Sequence, residues 1–388
     1  MIATVGFWPA EVEKDPVSSA QKVRSAMELS GVVGLKSQDY LRDASGVRRK
    51  NVLMTIRVGL IGAGNIGTSH ARDLSMRVAG STVSVIYDFD EARARELAAE
   101  LDARAVSSYQ DVIAAADVDA VLIASPDQFH AEQALACLAA GKPTLCEKPL
   151  SPSEADARSV LDAEVALGRQ LIMMGFMRRF DPGYVELKGG FGPAGIGEPL
   201  VIRNSHRNEI APYGLDSAMS ITNAAIHEID INRWLTDDEY AWVEVLTGRN
   251  GPLTPEGQHD PLFLLLKTTQ GTIIDIEMFV QSQLGYEVTC AVTGGLGAAE
   301  MADGSYVTTS RTLHRGHDLP KQWLGRFQEA YRLQLQAWIT HLTDGGPLPG
   351  ASTWDGYVGA VVANRAIESL RSGQRVAVTL PPRPALYA

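Results

Sequence analysis

One glycine turn constrains this chain more than any other feature. The stretch Arg57-Val58-Gly59-Leu60-Ile61-Gly62-Ala63-Gly64-Asn65-Ile66-Gly67 places a GxGxxG at the end of an apolar, β-rich run and at the start of a helical one. In such a turn the first glycine permits the tight bend, the second lets the backbone approach a pyrophosphate, and the third lets the helix pack closely on the strand. The helix N-terminus adds free N–H groups and the positive end of its dipole. The bare pattern is common, and its flanking strand and helix are what make it specific.

The surroundings supply that context. Short β-rich runs at 56–61, 83–87, 120–124, 144–147 and 171–174 alternate with helix-like stretches at 91–101, 129–140 and 153–167. Gly141 and Gly168 stand where helix C-caps belong. Strand, helix, strand repeated at this spacing predicts right-handed crossovers and a parallel, doubly wound sheet. The second strand ends at Asp88, 21 residues after Gly67. A carboxylate there accepts hydrogen bonds from the ribose of a dinucleotide and repels a 2′-phosphate, so NAD is the expected cofactor. Arg93 and Arg95 are expected to face solvent on the next helix. The candidate cofactor contacts are Gly62, Gly64, Asn65, Ile66, Gly67, Asp88, Ser125, Pro126, His130, Glu147 and Lys148. His70 reads as a capping or packing residue.

Past Gly175 the grammar changes. Strand-like runs at 200–205, 241–246, 262–267, 272–280, 286–294 and 306–312 follow one another, with Thr269-Gln270-Gly271 reading as a hairpin turn. Helices are expected at 220–235, 323–342 and 355–371, and a last strand at 375–380. The expected fold is α/β: an N-terminal Rossmann domain over 54–175 and a C-terminal α+β domain over 176–388 with a large, mostly antiparallel open sheet. The last helix is free to pack back on the first domain. Residues 1–53 show no sustained period and read as a poorly ordered extension or an upstream start added to a protein that begins at Met54. Their early acids, Glu11, Glu13 and Asp15, do not suit a signal peptide.

Composition narrows the partners. A net charge of -11 repels nucleic acid and anionic membrane. Three cysteines without a CxxC or Cys/His cluster argue against a disulfide framework and against zinc, with the cytoplasm as the default compartment. No run of about 18 apolar residues reads as a membrane span.

Glu147-Lys148-Pro149 closes a late strand of the nucleotide domain. Ligands of open α/β sheets bind beyond the carboxyl ends of the strands, so Lys148 is placed where substrate and cofactor meet. Pro149 fixes the backbone just after it and biases Lys148 to an extended conformation. On its own, a lysine at a strand end is equally compatible with a structural role.

Five motifs in order resolve this by resemblance: Gly62–Gly67, Glu147-Lys148-Pro149, the run from Gly175 to Pro182 (GFMRRFDP), His206-Arg207-Asn208 and Ile226-His227-Glu228-Ile229-Asp230. Over about 55–380 the chain resembles the Gfo/Idh/MocA oxidoreductases, and within them the bacterial inositol 2-dehydrogenases. The resemblance implies that Lys148 hydrogen-bonds the reacting hydroxyl while His227 takes its proton, with hydride passing to NAD. A positioned acid/base is typically worth ~10²–10⁴ in rate, and an imidazole titrates near neutrality, at roughly 6.5. Arg178, His206, Asn208 and Tyr286 are the implied substrate contacts. Arg179 and Asp181 could form an ion pair at the domain junction. No metal is expected, since His227, Glu228 and Asp230 point apart on a helix.

The resemblance also exposes a departure. Related inositol dehydrogenases carry an aspartate four residues before the histidine, and this chain has Asn223. Asparagine can still hydrogen-bond Lys148, His227 or substrate, but it brings no charge to raise the basicity of the histidine. The expected function is therefore NAD-dependent oxidation of a secondary hydroxyl on a cyclitol, sugar or glycoside. Two alternatives stand beside it: a member that keeps NAD(P) bound and recycles hydride, and a non-catalytic NAD-binding regulator. A homo-oligomer, dimer or tetramer, built on the second sheet is a further expectation.

Overall fold

The computed structural model describes residues 55–211, 216–301, 309–316 and 318–388. The 1–53 extension and residues 306–308 of the expected strand at 306–312 lie outside them.

The first sheet forms because its strands are apolar on both faces. β1 (Ile56–Ile61), β2 (Ser81–Tyr87), β3 (Arg104–Ala105), β4 (Ala120–Ile123), β5 (Thr144–Glu147) and β6 (Ile172–Gly175) all run parallel, in the order β3-β2-β1-β4-β5-β6. β4, β5 and β6 are buried at every residue, as expected where helices cover both faces. The strand order reverses between β1 and β4, which opens a crevice at their carboxyl ends. Crossover helices α1 (Asn65–Met76), α2 (Glu91–Leu101), α3 (Tyr109–Ala114), α4 (His130–Ala139) and α5 (Glu154–Leu167) flank the sheet. Side chains set several of their starts. Asp90 caps α2 and Ser153 caps α5, while Gly168 ends α5 with a φ of 71°.

The second sheet alternates. β7 (Pro199–Arg207), β8 (Tyr240–Thr247), β9 (Leu262–Thr268), β10 (Ile273–Phe279), β11 (Glu287–Gly294), β12 (Ala298–Glu300) and a later short strand assemble in a seven-stranded sheet, antiparallel throughout except for the parallel pair β7 and β10. Ile202, Leu264, Leu266, Ile274 and Ile276 point into the core and are fully buried. The hairpin joins β9 to β10 as expected, with Gly271 at a φ of 108°. A small separate hairpin pairs β13 (Thr309–Arg311) with β14 (His314–Gly316).

α6 (Pro182–Gly189) links the sheets, and α7 (Ile226–Thr236) lies against the second sheet near β7. The chain then returns to the first domain. α8 (Trp323–Asp344) sends Leu335, Trp338 and Ile339 into a core shared with Val58, Leu60 and Leu74, and its Tyr331 ring meets His70 edge-on. β15 (Ala351–Ser352) adds an antiparallel edge beside β6. α9 (Thr353–Ser372), started by a capping box between Ser352 and Asp355, packs on α5 through Arg365–Glu154 and an Asn364 bond to the carbonyl of Pro152. β16 (Val376–Ala377) closes the second sheet on β8. Among the described residues no helix is long and apolar enough to cross a membrane.

Candidate active site

The glycine turn is shaped partly by the protein and partly for something outside it. Gly62 has a φ of +98°, and a Cβ there would stand 2.5 Å from the backbone nitrogen of Ser125. A Cβ on Gly67 would stand 1.9 Å from the carbonyl oxygen of Gly62. Both glycines are demanded by internal packing. Gly64 is different: its φ of -68° suits any residue, and no protein atom lies within 4 Å of where its Cβ would be. Nothing inside the fold requires a glycine there, whereas a backbone held bare for a pyrophosphate does. The open cradle, the N-terminus of α1 and Asp88 together fit a dinucleotide.

Asp88 is buried at the end of β2. Its Oδ2 accepts from the backbone N–H of Ala63 at 2.6 Å, and its Oδ1 accepts from Asp90 N at 2.8 Å and Arg93 Nη1 at 3.3 Å. Arg93 was expected to face solvent. Its side chain is half exposed but turned onto Asp88, because the start of α2 brings the two within reach; Arg95 pairs outward with Glu91.

The loop after β4 carries three more candidates. Ser125 abuts Gly62, and its hydroxyl donates to Gln133 at 2.7 Å. Pro126 follows it on the exposed side. His130 is buried with Nδ1 2.7 Å from the carbonyl of Pro149 and Nε2 2.8 Å from that of Ser125. Its ring ties two strand-end loops together and has no nitrogen left to offer a cofactor.

Glu147 and Lys148 diverge at the end of β5. Glu147 is buried; its Oε1 meets His70 Nε2 at 2.8 Å and its Oε2 accepts the Lys148 N–H at 3.2 Å. Both carboxylate oxygens are therefore occupied inside the protein. His70 packs as expected, against Tyr331 and Glu147. Lys148 reaches across to the second domain, where Nζ donates to both Oδ1 and the backbone oxygen of Asn223, each at 3.1 Å. Of its three N–H groups one is left for another acceptor. Burial pushes the Lys148 ammonium below its ordinary pKa; Glu147 and Asp127 oppose that shift and Arg178 adds to it.

Asn223 lies in a π-helical turn, Ser220–Ala225, that leads directly into α7. The wider turn departs from the α-helical geometry that would stack positions 223 and 227, four residues apart, on one face. The amide faces Lys148 and Asp127, to whose Oδ2 Asn223 Nδ2 donates at 2.8 Å. His227 follows on α7, buried, with Nδ1 free of any partner and its ring edge-on to Phe176. Its pKa falls well below 6.5, first through burial and then through the cations Lys148 and Arg178 nearby. The imidazole is thus neutral and able to accept a proton.

Beneath it sits a charged cluster. Glu228 is fully buried, ion-paired with Arg178 and 3.0 Å from His206 Nδ1. Arg178 and His206 lower the Glu228 pKa to about 2 against the opposing effect of burial. Tyr286 packs edge-on against His206, and Arg178 and Glu228 act on its hydroxyl. Arg178 and His206, read from sequence as substrate contacts, both engage Glu228, through Arg178 Nη1 and His206 Nδ1, while Arg178 Nε is buried without a partner. Asn208, just after β7, keeps a buried Oδ1 without a partner. Arg179 and Asp181 do not pair with each other. Arg179 bridges Asp230 and Asp355, and Asp181 caps α6 and pairs with Arg326, because the turn between them sends the two side chains to different helices. His227, Glu228 and Asp230 accordingly diverge. Among the described residues no cluster of three could hold a metal ion.

Asp127 and Glu228 were missed from the sequence as site members. An aspartate just beyond the carboxyl end of a parallel strand was the available signal for Asp127. A cleft of about 920 Å³ near Arg179, Arg233 and Arg383 contains none of the candidate residues.

Family models match both domains. Residues 56–176 match the NAD-binding Rossmann fold of an oxidoreductase family, Gfo/Idh/MocA, and 194–378 match its C-terminal alpha/beta domain. Inositol 2-dehydrogenase 1 of Saccharopolyspora erythraea is 41% identical over 336 residues, 86% of this chain and 99% of its own length. The inositol 2-dehydrogenase/D-chiro-inositol 3-dehydrogenase of Shouchella clausii is 38% identical, over 86% and 97%. A crystal structure of myo-inositol dehydrogenase from Lactobacillus casei, in complex with NAD(H) and myo-inositol, superposes with a TM-score of 0.82 at 31% identity, covering 86% of this chain and all of that one.

Proposed function

The chain belongs to the Gfo/Idh/MocA oxidoreductase family, and from that premise we propose that it is an NAD-dependent dehydrogenase oxidising a secondary hydroxyl of a cyclitol. The observation that carries the reading is the pair at the domain junction: a tethered ammonium with one N–H to spare, Lys148, near a buried neutral imidazole, His227. The inositol dehydrogenases among its relatives supply the substrate class.

Gly62, Gly64 and Gly67 hold the pyrophosphate with the N-terminus of α1, and Asp88 holds the ribose. Bound NAD supplies the hydride acceptor. Lys148 donates its remaining N–H to the substrate hydroxyl oxygen and stabilises the charge that develops there. His227 accepts the hydroxyl proton on a ring nitrogen. Asn223 holds Lys148 in place, and Asn208 offers its unpartnered oxygen to a further hydroxyl.

A panel of inositol isomers, sugars and glycosides with NAD, followed by absorbance of NADH, tests this. Steady NADH formation with at least one cyclitol is expected. Formation with sugars alone would move the substrate class, and none with any polyol would remove the reading. We further place the protein in a reducing compartment, on its three free, buried cysteines. We also propose assembly as a dimer or tetramer on the outer face of the second sheet, which exposes Phe263, Ile273 and Leu246. Light scattering in solution reports the latter.

A further inference from the structure

A single side-chain amide separates a cation from an anion at the domain junction. On one side Asn223 Oδ1 accepts from Lys148 Nζ at 3.1 Å, and on the other Asn223 Nδ2 donates to Asp127 Oδ2 at 2.8 Å. The two ends of an amide are not interchangeable here. Rotating it by half a turn would set an NH₂ group against an ammonium and a carbonyl oxygen against a carboxylate. The charges on both sides therefore fix the amide, and the amide fixes the ammonium.

The three groups come from three separate elements. Lys148 directly follows β5, Asp127 opens the short turn Asp127–Phe129 after β4, and Asn223 lies in the π-helical turn before α7. Four charged or titratable groups face Lys148: Glu147 at the end of β5, Asp127, Arg178 from the turn after β6, and His227 from α7. Of the two carboxylates, Glu147 is committed to His70. Asp127 is the one aligned through Asn223 with the ammonium. An aspartate at 223 would bring two carboxylates within hydrogen-bonding distance, so a carboxylate at 127 and an amide at 223 belong together.

We propose that Asp127 is a positioning residue of the active site: through the Asn223 amide its carboxylate orients the Lys148 ammonium and supplies its balancing negative charge. The carboxylate that the helix before His227 lacks is thus provided from the nucleotide domain. The assignment rests on the proposed dehydrogenase reaction in giving Lys148 its task, but the link among the three side chains is independent of any substrate.

The test uses Asp127→Asn, Asn223→Asp and the double exchange of both, in the full-length protein. Asp127→Asn keeps an acceptor for Asn223 and removes only the charge. Lys148 is titrated in each protein, without NAD or substrate, by trace acetylation with acetic anhydride across pH and mass spectrometry of its peptide. With Asp127→Asn the midpoint should fall by about 1 pH unit, and the alkaline limb of kcat/KM should fall with it. The double exchange, which puts the carboxylate directly on Lys148, should return the midpoint to the wild-type value or above. It should also recover activity lost in either single variant. An unmoved midpoint in Asp127→Asn overturns the proposal, as does a loss of activity that leaves the Lys148 titration unchanged. If no cyclitol is oxidised but the midpoint still moves, the reaction is misassigned and the link among Asp127, Asn223 and Lys148 stands.

Discussion

The carboxylate of Asp88 accepts a hydrogen bond from the backbone N–H of Ala63 at 2.6 Å, so the residue proposed to hold the ribose also ties down the glycine turn proposed to hold the phosphates. Its second oxygen takes the N–H of Asp90 and one N–H of Arg93. The proposal thus gives two parts of one cofactor to a single hydrogen-bonded unit.

Cofactor choice should follow from this. NAD should be strongly preferred to NADP in kcat/KM, because a 2′-phosphate would meet the Asp88 carboxylate. Asp88→Ser should lower NAD efficiency by about 10–100-fold, the scale of losing hydrogen bonds to a charged group. It should narrow the gap between the cofactors, since Arg93 loses one of its two carboxylate partners and can approach a phosphate. Equal use of both cofactors by the wild-type protein would contradict the assignment.

Removing the tethered ammonium should separate chemistry from cofactor binding. Lys148→Ala should cut kcat by ~10²–10⁴, while the NAD dissociation constant, read by calorimetry, stays near the wild-type value. The glycine turn and Asp88 do not depend on Lys148 for their geometry. Near-normal turnover would take Lys148 out of the mechanism.

The pH profile should carry the signature of a histidine with no supporting carboxylate of its own. Burial and the neighbouring cations Lys148 and Arg178 depress His227. As the essential base it stays neutral well below its ordinary value, so the acidic limb of kcat/KM should fall below about pH 6.5. Asn223→Asp brings an anion nearby and should move that limb upward, by less than about 1 unit, because the side chain touches Lys148 rather than His227. A limb at or above the ordinary value in the wild-type protein would assign the base elsewhere.

The buried Glu228, together with the similarly depressed Asp355, should contribute to acid stability. Its pKa is depressed from 4.5 to about 2 by Arg178 and His206 against the effect of burial. A depressed carboxylate contributes stability that is complete above its unfolded pKa and is lost as pH falls through the folded one. The contribution, of order 3 kcal/mol, should thus disappear between about pH 4.5 and pH 2. Glu228→Gln should lower stability near neutral pH by about 3–5 kcal/mol, since it strands Arg178 as a buried, unpaired charge. It should also flatten the acid-induced loss. Urea unfolding across that range measures both, and an unaltered pH slope in the variant would show that Glu228 does not set it.

Much of the first domain was legible because parallel strands buried on both faces leave continuous apolar runs, and its turn chemistry is local. The second sheet was legible from successive strand-like runs joined by turns, among them Thr269-Gln270-Gly271. Strands of two residues, β3 and β15, are too short to carry any period. The site was half legible. Lys148, Asn223 and His227 stand in motifs, but the partner of Asn223 lies 96 residues away in the other domain. The π-helical turn that redirects Asn223 has no counterpart in residue spacing. The resemblance names Arg178 and His206 as substrate contacts, and sequence alone does not show that both also engage Glu228. Arg93 was misread because a helical position gives only a face, and the capping geometry of α2 gives the contact.

The two-residue strand β15 means that the first sheet, begun at Ile56, gains its last edge only from Ala351 and Ser352. The core of that domain likewise draws on Leu335, Trp338 and Ile339 from α8. A domain whose own crossovers end near residue 175 is therefore unfinished when the ribosome reaches that point. Its final layer must wait for some 175 further residues, about 9–35 s at ~5–20 residues per second. During that interval an apolar flank and an unpaired strand edge stand open, and all of the second sheet except its last strand, β16, is made within the gap. The order of synthesis thus starts the nucleotide-binding half first and completes it only after most of the second sheet has been made.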